Sequence, residues 1–306
     1  MSDLDKLRTE RESHQAHAVR GSGTRYSEAV DRYLGVAAYR SHEPARPVAT
    51  AVPRGALART GLVLVGVDDT AASYTALDHA AIEAELRGWD LRMMHVQRAG
   101  GLRSPPREAG ARLLERLTER VHACSPSVTV TSRLTAGSAA PLLLVEAKKA
   151  NLVVVGHRHG AAGSVFGVSV SDRIAAGHNG VVMVVRIPGW PPGPGFGARP
   201  IVVGVDGEDS PAVGFAHAEA KLRGSDLVLL HAGRAPRSER ADTVGGVRMQ
   251  RRFVADDPVT ALIEASSRAA ALVLGRHGPG GIPSGLLGSV SRSVVQHAHC
   301  PVFLVG

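Results

Sequence analysis

The residues best placed to do chemistry lie late in the chain. They read Gly275-Arg276-His277-Gly278-Pro279-Gly280-Gly281-Ile282-Pro283-Ser284-Gly285-Leu286-Leu287-Gly288-Ser289-Val290-Ser291. The stretch follows an apolar run, Ala271-Leu272-Val273-Leu274, and precedes a short helical pattern. Glycines let a backbone approach a ligand and take up unusual dihedrals. Successive N–H groups in such a turn form a concave anion site. A helix starting near Ser289 aims further N–H groups at the same place. Ser289 and Ser291 add hydroxyls, so the stretch holds the donors that a di- or triphosphate needs. A plain surface loop accounts for many glycine-rich stretches equally well. This one is not the dinucleotide fingerprint, because it follows a late strand rather than the first. Nor is it a P-loop, because no Gly-Lys-Ser/Thr ends it.

Other polar residues offer weaker chemistry. Asp68 and Asp206 each end an apolar run, where an aspartate can cap the next helix or face a ligand. Asp68-Asp69 could hold Mg²⁺ beside a nucleotide, yet adjacent acids in a turn are common. His95 and His231 occupy equivalent places. An acid–base role and an internal structural role fit them equally. No Ser-His-Asp order, HExxH pattern or Cys/His cluster marks a dedicated catalytic or metal centre. Cys124 and Cys300 are too few for a disulfide framework. Cys300 opens an apolar run and reads as a free core thiol.

These residues must be positioned by alternating strands and helices. Leu62–Asp68 is continuously apolar up to its last residue, as a parallel strand buried on both faces would be. An Ala-rich helix follows over 73–87, with Thr70 or Ser73 as caps. Then come strands at 91–96 and 128–131, helices at 108–124 and 141–150, a strand at 152–156, a short helix at 169–176 and a strand at 181–187. This alternation argues a parallel sheet covered on both sides. After Pro188-Gly189-Trp190-Pro191-Pro192-Gly193-Pro194-Gly195, a linker by composition, the pattern restarts. Ile201-Val202-Val203-Gly204-Val205-Asp206 repeats the first strand. Val228–Ala232, Ala271–Gly275, Ser289–Val294 and Pro301–Val305 repeat later segments in order. A repeat in fixed order indicates two homologous domains. The second copy is shorter by the length of the 108–124 helix. Only Gly233–Gly246 is left there, and it reads as a loop, which leaves one sheet face bare unless a partner or the N-terminal arm covers it.

The order and spacing resemble the universal stress protein family. Its nucleotide-binding members carry Gly, two residues, Gly, nine residues, then Gly-Ser or Gly-Thr. Gly275, Gly278, Gly288 and Ser289 match that pattern. Val-Gly-Val-Asp at Val65–Asp68 and Val203–Asp206, Val290-Ser291 and Cys300-Pro301-Val302 extend the resemblance from Leu62 to Gly306. The resemblance implies an α/β fold of two tandem Rossmann-like (adenine nucleotide alpha hydrolase-like) domains. Each would be an open, mainly parallel five-stranded sheet with helices on its faces, one helix being absent from the second. It implies ATP, with or without Mg²⁺, across the carboxyl ends of the strands. Val205 and Asp206 would lie near adenine and ribose. Gly275, Gly278, Gly288 and Ser289 would hold the phosphates, with Val290 and Ser291 alongside, and Arg276 and His277 within reach. The first copy departs from the pattern. Gly156 matches, but His159 and Val168 replace the later glycines. Asp68, Gly156, Ser169 and Ser171 are therefore the weaker candidates.

The chain thus divides into a polar arm (1–58), either disordered or docked on a partner surface, a first domain (59–188), a linker (189–198) and a second domain (199–306). Within the arm, Tyr26–Tyr39 has a helical pattern with Ser27 as cap. The net charge is +8, from 36 Lys+Arg against 28 Asp+Glu. The basic residues are scattered, with only Arg251-Arg252 and Lys148-Lys149 adjacent, and no aromatic-interleaved basic face suits nucleic acid. No apolar run is long enough to span a membrane, and the charged first residues lack a signal peptide's apolar core. The expectation is a cytoplasmic ATP-binding stress or regulatory protein. Its alternatives are a scaffold for an unknown protein partner, or a slow Mg-dependent ATPase. A homodimer would use the terminal strands or the bare sheet face.

Overall fold

A computed structural model describes residues 24–38, 61–98, 107–157, 169–190, 195–206, 210–233, 240–276 and 286–306. Helix α1 (Arg25–Ala38) precedes the first half. That half runs β1 (Leu62–Val67), α2 (Ala71–Arg87), β2 (Asp90–Gln97), α3 (Arg107–Cys124), β3 (Val130–Ala136), α4 (Ala139–Ala147), β4 (Leu152–His157), α5 (Val170–Gly177) and β5 (Val181–Arg186). The second half runs β6 (Ile201–Gly204), α6 (Pro211–Arg223), β7 (Leu227–Ala232), β8 (Arg240–Val244), β9 (Val247–Val254), α7 (Pro258–Ser266), β10 (Ala271–Gly275), α8 (Ser289–His297) and β11 (Val302–Val305).

The expected pair of separate five-stranded sheets is corrected to one 11-stranded sheet, ordered β3-β2-β1-β4-β5-β11-β10-β6-β7-β9-β8. Each half is parallel within itself, apart from β8. The halves join where β5 and β11 pair antiparallel, with Phe303 opposite Met183. The terminal strands therefore saturate each other inside the chain, and that edge is not open to a homodimer. Both strands are apolar and buried, so pairing them removes two liable edges at once.

The second correction concerns 233–246. The expected loop contains β8, which forms a hairpin with β9 through Gly245 and Gly246. Both glycines have positive φ, 55° and 84°, as the tight turn between two twisted strands requires. The chain left after losing a helix is too short to cross the sheet, but long enough to add an edge strand. His217 of α6 holds the hairpin tip, its Nε2 donating to the Val244 carbonyl at 2.9 Å.

The core has two layers, one on each side of the sheet. One joins α1, α2, α3 and α6, the other α4, α5, α7 and α8. At the centre of the first layer, Glu83 and Arg87 of α2 meet Glu219 and Arg223 of α6. Each arginine bridges both carboxylates, and all four side chains are at least nine-tenths buried. Helix α1 closes this ring. Tyr26, Ala29, Val30 and Tyr33 are buried beneath it, and the Arg223 guanidinium lies 4.8 Å over the Tyr26 ring. The arm's helical reading is right, but its cap is Thr24. The Thr24 Oγ1 accepts the Ser27 N–H at 3.1 Å, and the Ser27 hydroxyl returns to the Thr24 carbonyl at 2.8 Å.

The linker is anchored at both ends. Trp190 stacks on buried His79 at 3.9 Å, and Phe196 lies edge-on to Trp190 at 5.5 Å. Gly197 comes so close to α1 that an added Cβ would stand 2.5 Å from the Ser27 Cα. Both cysteines are buried free thiols, as expected of core residues.

Candidate functional site

In each half the strand order reverses beside the first strand, which opens a crevice at the carboxyl ends of the strands. In the second half the crevice lies between β6 and β10, neighbours in parallel register. Asp206 follows β6 and is exposed. It does not cap the next helix, because Ser210 does, its hydroxyl accepting the Ala212 N–H at 3.3 Å. Val205 is partly buried. Its N–H donates to the Leu230 carbonyl, and its own carbonyl accepts from His231 Nδ1 at 3.0 Å.

Gly275 ends β10, and its carbonyl accepts the Ser291 hydroxyl at 2.7 Å. The Gly288 N–H donates to the Arg276 carbonyl at 2.9 Å, so the loop's two ends are pinned together. Gly288 is the N-cap of α8, and among the described residues no side chain caps that helix. Its first N–H groups, those of Ser289, Val290 and Ser291, therefore lie where an anion would take them. Ser289 and Arg292 are exposed in the first turn, while Ser291 is buried. His277 and Gly278 lie outside the described residues.

Arg276 is corrected. Its side chain turns away from the crevice and crosses to the first half, where it donates to the carbonyls of Ala175 in the last turn of α5 and of Gly180 beyond it. Burial pushes its pKa down to about 10. A cation at a helix C-terminus is favourably placed, and this one stitches the halves together rather than contacting phosphate. Arg186 makes the converse stitch to the Ala298 carbonyl at 2.8 Å.

In the equivalent crevice of the first half, the described polar side chains bond to one another and to the backbone. The Asp68 N–H donates to the Ser73 hydroxyl at 2.7 Å, and the Thr70 hydroxyl donates to the Asp68 carboxylate. A Cβ on Gly156 would stand 2.5 Å from the Ala72 carbonyl oxygen, so this glycine lets the α2 N-terminus approach β4. Ser169 caps α5, accepting the Asp172 N–H at 3.0 Å. The Ser169 and Ser171 hydroxyls are 2.9 Å apart, and Ser171 is hydrogen-bonded to His157 Nδ1 at 3.1 Å. The Asp172 carboxylate lies 3.8 Å from that same nitrogen. The hydroxyls that would face phosphate are bound to one another, and an acid stands in the first turn.

Residues 61–186 and 238–306 match the sequence model described as "Universal stress protein family". The chain belongs to that family. A universal stress protein of Mycolicibacterium smegmatis is 32% identical over 284 residues, covering 79% of this chain and 96% of the relative. One of Mycobacterium tuberculosis strain H37Rv is 28% identical over 300 residues, covering 79% of this chain and 94% of the relative. The crystal structure of a universal stress protein from Archaeoglobus fulgidus shares the fold, with a TM-score of 0.60 at 16% identity over 80% of this chain and 97% of that one. The family match breaks across 187–237, which holds β6, α6 and β7. Asp206 lies in that unmatched stretch.

Within this universal stress protein, the paired histidines are structural. His95 Nδ1 donates to the Val67 carbonyl at 2.8 Å, as His231 does to Val205. Each ties the end of a second strand to the end of the first. Sequence reading missed His157 and the Asp172/Arg292 exchange, although both stand in the aligned repeat as a charge reversal and an imidazole beside the loop. Among the described residues no helix is long and apolar enough to cross a membrane, and no cluster of three His, Cys, Asp or Glu could hold a metal.

Proposed function

We propose that this universal stress protein is a regulatory nucleotide binder that takes one ATP per chain, in the crevice between β6 and β10. The uncapped first turn of α8 carries this reading. Among the described residues Gly288 leaves its N–H groups without a side-chain acceptor, and Arg292 stands where the first half has Asp172. Helix N-termini with free donors and no acid bind phosphate well. In this reading Ser289 and Val290 hold phosphate through their N–H groups, and Ser291 braces the loop through Gly275. Val205 lines the adenine side, and Asp206 accepts from the ribose. Mg²⁺ enters with the phosphates, and Gly278 and His277 belong to the same loop.

The test is titration calorimetry on the intact protein with ATP, with and without Mg²⁺, beside the variant Gly288→Val, which copies Val168. Binding near one ATP per chain, lost in the variant, supports the proposal. No heat with the parent protein sinks it. Slow ATP hydrolysis would be the same site with turnover added, read as phosphate release in a single-turnover assay. The scaffold reading draws support from Arg276, a loop residue committed to holding the two halves together rather than to a ligand.

A further inference from the structure

Among the described residues the continuous sheet has two free edges, β3 and β8, and they are built differently. They run in the same direction, because the sheet reverses once between β5 and β11 and again between β9 and β8. Each offers side chains on the side of the sheet that carries α3 and α6. On β3 these are Ser132 and Leu134, beneath α3. On β8 they are Arg240, Asp242 and Val244, paired with Arg251, Met249 and Val247. Val247 is in the same core layer as Leu113 and Leu114 of α3, with Met249 packed against it.

Between α3 and the free edge of β3 lies an open groove of about 440 Å³, with Leu114 and Leu134 among its lining residues and Glu115 and Glu119 on its rim. Both glutamates are exposed, and neither forms an ion pair among the described residues. At the other end, β8 and β9 expose Arg240, whose Nε is 2.9 Å from the Asp242 carboxylate, together with Arg248, Arg251 and Arg252 around an exposed Val244, a net positive edge. One end is thus an acidic-rimmed apolar groove beside an unpaired edge. The other is an unpaired strand with an apolar residue and flanking arginines.

We propose that these ends fit each other in two copies of the chain. The β8 strand of one copy adds in parallel to the β3 edge of the next, Val244 enters the groove, and Arg240 and Arg251 lie against Glu115 and Glu119. The five residues of β8 fit within the seven of β3. The contact uses different patches on the two copies, so it is heterologous and propagates head to tail instead of closing as a two-fold dimer. Sheet twist turns each added copy, which gives a screw. The device exists only because the halves differ: the first keeps α3 beside its edge, and the second has the hairpin instead. It requires no nucleotide.

Sedimentation velocity on the full-length protein, over a concentration series at low and at high salt, tests this. The average mass should rise with concentration and fall when salt screens the charges. The double variants Glu115→Lys/Glu119→Lys and Arg240→Glu/Arg251→Glu reverse exposed charges, and far-UV circular dichroism checks that each stays folded. Each alone should associate at least about a hundredfold more weakly, because like charges then meet. An equimolar mixture of the two should associate again, since each reversed end meets its complement. A parent chain that stays monomeric at every concentration overturns the proposal. So does association unmoved by either reversal, or a mixture that associates no better than its components.

Discussion

Where the first half ends β4 on Gly156-His157 and opens α5 with Ser169, the second ends β10 on Gly275, followed by Arg276, and opens α8 with Gly288. Apart from α3, which the second half lacks and replaces with the β8 hairpin, the two frameworks agree in the order of their strands and helices and in the histidine that ties the second strand to the first. They diverge at the helix N-terminus. In the first half the Ser169 hydroxyl caps α5, and Ser171 and His157 complete a hydrogen-bonded group beside Asp172. In the second the hydroxyl of Ser291 goes to a strand carbonyl, and among the described residues the helix start has no side-chain cap. A parallel-sheet crevice always leaves donors at a helix start. The two halves show both ways of dealing with them: satisfy them internally, or leave them for a ligand.

The halves are most alike at the Glu83/Arg87/Glu219/Arg223 ring, and the largest effect is expected there. Removing one arginine leaves buried carboxylates uncompensated, so Arg223→Ala should cost about 3–5 kcal/mol. Arg87→Ala should cost less, because the Arg87 side chain is 9% exposed and that of Arg223 is 0% exposed, under Tyr26. Denaturant midpoints of the two variants measure the difference. Equal losses would mean that α1 does not deepen the burial of the ring. Gly156→Ala should cost about 1–3 kcal/mol by forcing a methyl against the Ala72 backbone, and ATP stoichiometry should not change. Altered ATP binding at unchanged stability would instead make Gly156 a phosphate-loop glycine.

A third contrast separates the halves by pH. His79 of α2 stands where α6 has Phe215. Burial pushes the His79 pKa from 6.5 down to about 3. The unfolded chain takes up a proton near pH 6.5, while the folded chain resists it until about pH 3. Stability should therefore be complete above pH 6.5 and fall as pH drops toward 3, by about 1.4 kcal/mol per pH unit for this one group. His178, also pushed down by burial and then by the nearby Arg276 charge, adds to the same slope. His79→Phe copies the second half into the first and should flatten the acid limb of a stability–pH profile. An unchanged limb would assign acid sensitivity to other groups.

Much of this was legible in the sequence because it follows from local patterns. Unbroken apolar runs such as Leu62–Val67 can only be doubly buried strands, and the Ala-rich segment before Gly88 has to be a helix that ends where glycine takes positive φ. The repeat located both crevices. Three features were not legible, each because it depends on a partner distant in sequence. The β8 hairpin looked like a loop, since Arg240–Val244 is exposed and polar and becomes a strand only by pairing with β9. Arg276 looked like a phosphate ligand, since nothing local says that α5 of the other half lies across the seam. The sheet looked like two, since the pairing of Val182 with Leu304 joins strands whose separate patterns are complete. Thr24 was missed as a cap because Ser27 is an equally good capping residue one turn later.

The smallest expected effect is the most discriminating test of the crevice comparison. Arg292→Asp gives α8 the first-turn acid that α5 has in Asp172, while leaving Gly288 and the loop unchanged. Each exposed charge near a helix N-terminus is worth about 0.3–1 kcal/mol and Arg292→Asp changes two, so ATP affinity should drop roughly threefold to thirtyfold, and added salt should shrink the difference. The reciprocal variant, Asp172→Arg, removes the acid from the first crevice but leaves Ser169 as cap and Ser171 bound to His157. It should not create a second ATP site, and calorimetry should still count one nucleotide per chain. Two ATP per chain in that variant would show that one carboxylate, not the hydroxyl and imidazole group, keeps ATP out of the first crevice. Charge would then be the whole difference between the halves, and the glycine at 288 would serve only to start the helix one residue earlier.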